Sequence, residues 1–186
     1  MLRSIISFLL TSGAADQALE WQSISASDRS AIKSQYAAAG IKLLVSVFGA
    51  TEAPTSAGSD PITVADTMAA WVKKYDLDGI DVDYEDFNAF DGSSGSAVTW
   101  LKKFTKQLRV HLPQGSYILT HARVLCPFFS KNLRSDHLSP AVAPWFQSDA
   151  WSGGGYLAID QAVGSLIDWV RSGLSNLNLA KPYLDL

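Results

Sequence analysis

The residues best suited to chemistry are the carboxylates between Asp76 and Asp86, in the stretch KKYDLDGIDVDYEDF. Three of them, Asp81, Asp83 and Glu85, alternate with Val82 and Tyr84. A period of two places the three acids on one face of a β-strand, with about 6.6 Å between successive acids. Unpaired buried charges cost several kcal/mol each, so a strand that stacks acids on one face predicts a functional site.

Two kinds of chemistry suit these carboxylates. A carboxyl group beside other carboxylates holds its proton more readily, and a protonated Glu can donate that proton to a leaving group. A Mg²⁺ or Ca²⁺ site shared with other strands is the alternative. An EF-hand starting at Asp81 is excluded, because Asp86 stands where glycine is needed and Gly92 where glutamate is needed. A solvated acidic loop conflicts with the strand spacing of Ile80 and Val82.

The elements around the acids predict an α/β fold. Short apolar runs lie near Phe8, Val45, Val82 and Leu119, at intervals of about 37 residues, with helical patterns between them. Strands that alternate with single helices indicate a parallel sheet, since parallel neighbours need a crossover connection. A doubly wound sheet and a piece of a (β/α)8 barrel both fit this pattern, and a barrel would carry its function at the carboxyl ends of the strands.

Capping signals predict where the intervening helices lie. The first helix is expected to begin at the cap Ser27 and to end at Gly40. The second is expected to begin at Asp60-Pro61, a capping residue followed by the proline favoured at the first helical position. Its apolar stripe comprises Met68, Val72 and Tyr75, and the third helix carries Val98, Leu101, Leu108 and Leu112 before Pro113.

Two segments resemble a known family. DGIDVDYE, Asp78 to Glu85, matches the D-x-x-D-x-D-x-E signature of family 18 glycoside hydrolases, the chitinases and endo-β-N-acetylglucosaminidases. SVFG, Ser46 to Gly49, is similar to the S-x-G-G motif that this family carries one βα unit upstream, and Phe48 departs from it. The wider likeness, to fungal members, covers residues 6–169.

The resemblance implies a (β/α)8 barrel and a role for each acid. Glu85 would protonate the glycosidic oxygen, and the substrate's own N-acetyl oxygen would be the nucleophile. Asp83 would bind the acetamido N–H, while Asp81 would share a proton with Asp83 and orient it. Asp78 is expected to be structural. The implied partner is chitin or another N-acetylglucosamine oligosaccharide, and no cofactor or metal is expected.

The expected substrate-binding residues are Ser46, Phe48, Gly49, Phe87, Trp145 and Trp151. Sugar rings stack on flat apolar faces, which Phe87 and Phe90 offer after the motif, and Trp145, Phe146 and Trp151 offer later. Local packing is the alternative role for each aromatic residue. His121, at the end of a predicted strand, is expected to be structural, with a position in the cleft as the alternative.

The chain is expected to form one incomplete catalytic domain over residues 1–186. A full barrel needs eight βα units and typically about 250 residues, and the pattern here supports about five units, without the family's first strand. Residues 123–141 are interpreted as an insertion and residues 170–186 as an atypical tail. Hydrolysis is therefore expected to be impaired, and a family member that binds chitin oligosaccharides without cutting them is the alternative.

Composition sets the remaining limits. The 186 residues are 47% hydrophobic, which is enough for one globular domain, and a net charge of -3 predicts neither a nucleic-acid nor a membrane partner. Cys126 is the only cysteine, so no intrachain disulfide forms. The start, MLRSIISFLL, reads as a short signal peptide or as a buried strand, and the strand is favoured. The family resemblance adds an expectation of secretion.

Overall fold

A computed structural model of the chain describes residues 2–91, 94–124 and 155–173. These residues form one sheet with the strand order β2-β1-β3-β4-β5-β6. All neighbouring strands are parallel except β2, which pairs antiparallel with β1. The strands are β1 Leu2–Leu10, β2 Gly13–Ala14, β3 Ile41–Phe48, β4 Gly79–Asp83, β5 Ile118–Val124 and β6 Trp169–Gly173.

Helices connect the parallel strands. They are α1 Asp16–Ser23, α2 Ala26–Ala38, α3 Pro61–Lys74, α4 Phe87–Asp91, α5 Ser96–His111 and α6 Gly155–Val163, the last followed by a 3₁₀ turn at Gly164–Leu166. Five parallel strands in chain order, with helices in the crossovers, are the arrangement of a partial (β/α)8 barrel. The predicted α/β class and the predicted number of about five βα units are confirmed.

Some helix boundaries agree with the sequence prediction and others do not. Asp60 caps α3 as expected, its side chain accepting from the N–H of Thr63, with Pro61 at the first helical position. The predicted cap at Ser27 is wrong, because Ser25 caps α2 by accepting from the N–H of Asp28. Helix α1 was not predicted at all, since its eight residues bury only Ala18 and Trp21 and its apolar pattern is short.

The main core lies between the sheet and helices α3 and α5. Ile80, Val82 and Tyr84 of the β4 segment are buried there, together with Met68 of α3 and Leu101 of α5. The opposite face of β4 carries Asp81 and Asp83. Apolar side chains therefore bind the strand to its helices, while the acids face the inside of the curved sheet.

Aspartates before two of the strands tie the sheet together at its amino-terminal end. Asp78 accepts from the N–H of Leu43 and forms an ion pair with Lys33 at 2.6 Å. Asp168 accepts from the N–H of Leu119 and pairs with Arg109 at 2.8 Å. Each carboxylate thus holds the preceding strand, which is the structural role expected for Asp78.

The two ends of the described sheet approach each other. Strand β1 occupies the segment that was predicted as a strand or a signal peptide. The guanidinium carbon of Arg3 on β1 lies 3.4 Å from the ring centroid of Trp169, the first residue of β6. The sheet is therefore strongly curved. Within the described ranges, no helix is long and apolar enough to cross a membrane.

Candidate active site

Asp81, Asp83 and Glu85 are here called the acid row. Asp81 is the innermost of the three and is 1% exposed. In the parallel register it lies between Ser46 of β3 and Thr120 of β5. The Ser46 hydroxyl donates to Asp81 Oδ2 at 3.2 Å, and the Thr120 hydroxyl donates to Oδ1. Hydroxyl donors on both neighbouring strands compensate for the burial of this carboxylate and hold it in place.

Asp83 and Glu85 lie at the carboxyl end of β4. Asp83 is the last residue of the strand and is half-buried, and its carbonyl oxygen accepts from the N–H of Gly49 at 2.8 Å. Glu85 follows two residues later and is also half-buried. Burial raises the pKa of the Glu85 carboxyl above its ordinary value. A carboxyl group that holds its proton at higher pH is suited to act as a general acid.

Gly79, the glycine of the motif, allows β4 and β5 to approach each other. A Cβ at this position would overlap the carbonyl oxygen of Ile118. Gly49 has a different constraint, since its φ is +75° and a Cβ there would lie 2.9 Å from Cε1 of Phe8. Glycine is therefore required at both positions, one inside the sheet and one at its carboxyl end.

Phe48 is a correction to the expected substrate-binding set. Phe48 pairs in register with Asp83, which faces inward, so regular alternation would point the Phe48 side chain inward as well. Its φ of +74° breaks that alternation. The side chain is fully buried among Tyr84, Trp100 and Phe104, with ring centroids 5.3–6.2 Å away. Phe48 thus packs in the helix-side core and has no surface on which a sugar could stack.

The other expected contact residues fall into two groups. Ser46 is 5% exposed and bonds to Asp81, so its described contact is with the acid row. Phe87 is half-buried at the start of α4, and its N–H donates to the carbonyl oxygen of Glu85 at 2.8 Å. Phe87 therefore remains a candidate at the mouth of the site, which is the carboxyl end of the strands, whereas Gly49 is buried next to Phe8 and Phe90 is buried against Tyr84. Trp145, Phe146 and Trp151 lie outside the described residues. Of the expected insertion at 123–141, residues 123–124 end β5 and the rest lies outside the described residues; of the expected tail at 170–186, residues 170–173 belong to β6 and the rest lies outside them.

His121 lies on the helix side of β5 and is fully buried. Its ring contacts the Thr105 hydroxyl at 3.3 Å and the Tyr156 hydroxyl at 3.0 Å. Burial, with a smaller contribution from the charge of Arg109, lowers the pKa of His121 to about 3. The alternative that His121 faces the cleft is wrong, since it stands one residue out of phase with Thr120, which does face the acids.

Two polar positions were missed from the sequence. Thr120 bonds to Asp81, and the alternation of β5 would have shown it once the register with β4 was known. Asp86 is 1% exposed and accepts three hydrogen bonds, two from Ser56 and one from Ala89. No local pattern marks Ser56 as its partner, because thirty positions of chain separate the two residues.

In the described parts of the chain, no three His, Cys, Asp or Glu side chains are grouped closely enough to bind a metal ion.

Among known proteins, a solved structure resembles this chain. No family model matches the chain, and no curated protein matches it in sequence. In structure the chain is similar to a GH18 chitinase from Pseudoalteromonas aurantia, with a TM-score of 0.67 and 28% sequence identity. The match covers 95% of this chain and 61% of that chain. This chain therefore spans less than two thirds of the chitinase that it resembles.

Proposed function

We propose that the protein is a glycoside hydrolase acting on β-1,4-linked N-acetylglucosamine, in chitin or related oligosaccharides. The observation that carries the proposal is the acid row itself. Asp81 is held in the interior by two hydroxyls, and Glu85 stands at the mouth with a raised pKa. The likeness to a chitinase supports the same activity.

In the proposed reaction Glu85 supplies the proton. Its carboxyl O–H protonates the glycosidic oxygen as the bond from that oxygen to the anomeric carbon breaks. The carbonyl oxygen of the substrate's own acetamido group forms the new bond to the anomeric carbon, which gives an oxazolinium ion. A water molecule then opens this ring and loses a proton to the Glu85 carboxylate, so the configuration at the anomeric carbon is retained.

The other two acids would serve the acetamido group. The proposed role of Asp83 is to accept a hydrogen bond from the acetamido N–H and to stabilise the positive charge that develops on the ring. Asp81, which lies deeper in the interior, is proposed to orient Asp83. Phe87 is the described aromatic residue proposed to line the sugar site, and an extracellular location is proposed because the polymer is insoluble.

A second candidate is a protein that binds chitin oligosaccharides without cutting them. The observation in its favour is that the match covers only 61% of the chitinase. In the described part of the chain, β6 has a strand neighbour on one side only. A site with an incomplete wall positions the acetamido oxygen poorly, which lowers the rate of the chemical step more than it lowers binding.

The substitution Glu85→Gln tests the proposal, with Glu20→Gln on α1 as the matched exposed control. We expect Glu85→Gln to abolish hydrolysis of N-acetylglucosamine oligosaccharides, because the amide keeps the shape of the acid and lacks its proton. Binding should stay within about tenfold of wild type. Products are detected by mass spectrometry at high protein concentration, and binding is measured by calorimetry.

Each result has a distinct meaning. Equal turnover in wild type and Glu85→Gln would remove Glu85 from the acid role. Binding of the oligosaccharide by wild-type protein, with no product above the protein-free level, would favour the non-catalytic candidate. Loss of product in the Glu20→Gln control would show that the assay reports general damage to the fold.

A further inference from the structure

A loop that precedes α3 contacts the residues on both sides of Glu85. Residues 49–60, here called the anchor loop, connect β3 to α3. The Tyr84 hydroxyl donates to the Thr55 hydroxyl at 2.6 Å. Asp86 accepts from the Ser56 N–H at 2.7 Å and from the Ser56 hydroxyl at 2.6 Å. The residue before Glu85 and the residue after it are therefore both tied to one short segment.

The contact to Asp86 is a buried charge with three donors. Besides its two bonds to Ser56, the Asp86 carboxylate accepts from the N–H of Ala89 at 3.2 Å. The residue is 1% exposed, and a buried carboxylate is tolerated only where its oxygens are satisfied. Charge-assisted hydrogen bonds are about twice as strong as neutral ones, so this contact resists displacement of the loop.

The anchor loop is in turn fixed to the rest of the fold. The Trp100 indole N–H on α5 donates to the carbonyl oxygen of Ser59 at 2.7 Å. The Glu52 carboxylate accepts from the N–H of Thr11, which follows β1, at 3.0 Å. The loop thus connects the segment that carries Glu85 to α5 and to the end of β1.

We propose that Asp86 is a positioning residue, which through Ser56 of the anchor loop holds the Glu85 carboxyl at a fixed, partly buried place at the mouth. The catalytic consequence rests on the proposed function, whereas the positioning itself does not. An ordinary helix cap is the competing explanation, since the bond to Ala89 lies in the first turn of α4. Only the bonds to Ser56 distinguish the two roles.

The variant Ser56→Ala separates positioning from capping. It removes one hydroxyl donor, keeps the Ser56 N–H and the bond to Ala89, and changes no titratable group. Ser34→Ala is the matched control, because Ser34 is exposed on α2 and its hydroxyl donates only within that helix in the described contacts. Ser56→Thr retains a hydroxyl and is expected to restore the wild-type behaviour.

Two measurements on the full chain read the position of Glu85 without any need for turnover. Hydrogen exchange followed by mass spectrometry should show the amides of residues 84–90 exchanging roughly tenfold faster in Ser56→Ala. The carboxyl carbon signal of Glu85 in an NMR titration should give a lower pKa than in wild type, as the side chain gains water. Ser34→Ala should change neither quantity.

Turnover supplies the third measurement. Where wild-type protein releases product, Ser56→Ala should lower kcat roughly three- to tenfold with KM changed less than about twofold, because a displaced acid affects the chemical step rather than binding. Asp86→Asn should lower kcat further, since its amide group turns an N–H₂ toward one of the three donors.

The outcomes separate the two proposals. Unchanged exchange and an unchanged Glu85 pKa in Ser56→Ala would overturn the positioning role. Faster exchange with unchanged kcat in an active protein would also overturn it and leave a structural contact. Absence of turnover in wild type would remove the proposed hydrolase function, while exchange and the Glu85 titration would still decide whether Asp86 positions the carboxyl.

Discussion

At the scale of single residues, Asp83 is the acid whose role is most open to test. It ends β4 between the buried Asp81 and the half-buried Glu85. If Asp83 orients an acetamido group, Asp83→Asn should lower turnover by a factor on the order of 10² to 10⁴, because the amide places an N–H₂ where an acceptor is needed. EDTA should not change wild-type turnover, since the proposed reaction passes through no metal. Steady-state kinetics on an N-acetylglucosamine oligosaccharide measure both effects.

Asp160→Asn, an exposed acid on α6, is the control for Asp83→Asn and should keep wild-type turnover. Activity that is lost with EDTA and returns with Mg²⁺ or Ca²⁺ would contradict the proposed role and restore the metal alternative for the acid row.

At the scale of elements, β5 joins the site to the core through opposite faces. Thr120 faces Asp81, while His121 contacts α5 and α6 with a pKa lowered to about 3. The ordinary value is 6.5, so between these two pH values the unfolded chain binds a proton that the folded protein does not. The contribution of His121 to stability therefore falls as the pH falls from 6.5 towards 3, by up to about 1.4 kcal/mol per pH unit.

The prediction for β5 follows from this slope. Between pH 7 and pH 5, the free energy of unfolding should fall by about 1–2 kcal/mol more in wild type than in His121→Gln. Urea denaturation at the two pH values measures it. His111→Gln on α5 is the control, because that ring is partly exposed and pairs with Asp66 at the surface. An equal drop in wild type and His121→Gln would show that the buried ring does not govern acid stability.

At the scale of the whole molecule, the curvature of the sheet protects part of its inner face from solvent. A flat, open sheet would leave all three acids in water. Asp81 is instead 1% exposed, and Arg3 stacks on Trp169 between the two outermost parallel strands. This contact lies at the amino-terminal end of the strands, so it leaves the mouth around Glu85 unaffected. The interior is thus partly protected from solvent, whereas the described residues supply only part of a wall around the proposed sugar site.

The chain of residues 1–186, expressed alone, should therefore hydrolyse oligosaccharides at least tenfold more slowly than the Pseudoalteromonas aurantia chitinase. Positioning of the acetamido oxygen contributes several kcal/mol to such a reaction and needs both walls of the cleft. A fluorogenic chitotriose-type substrate gives both rates under identical conditions, with gel filtration to show that the protein is monodisperse. Turnover within tenfold of the chitinase would show that the five-strand arrangement is sufficient.

Local patterns in the sequence determined the fold class and the acid row. Alternating apolar runs and helical stripes specify βα units because each depends on neighbours within a few residues. The strict period of two likewise places Asp81 and Asp83 on one face whatever their partners are. The cap at Asp60 was predictable for the same reason, whereas the competing serines before α2 left its start uncertain by one or two residues.

Tertiary structure alone decided which polar and aromatic residues belong to the site. The positive φ of Phe48 directs its side chain away from the cleft. Residue type does not predict a positive φ at a non-glycine position. Register between separate strands placed Thr120 beside Asp81 and turned His121 away. The bond from Ser56 to Asp86 joins segments that meet only once the sheet has formed, so the residues that hold Glu85 depend on long-range packing rather than on any short motif.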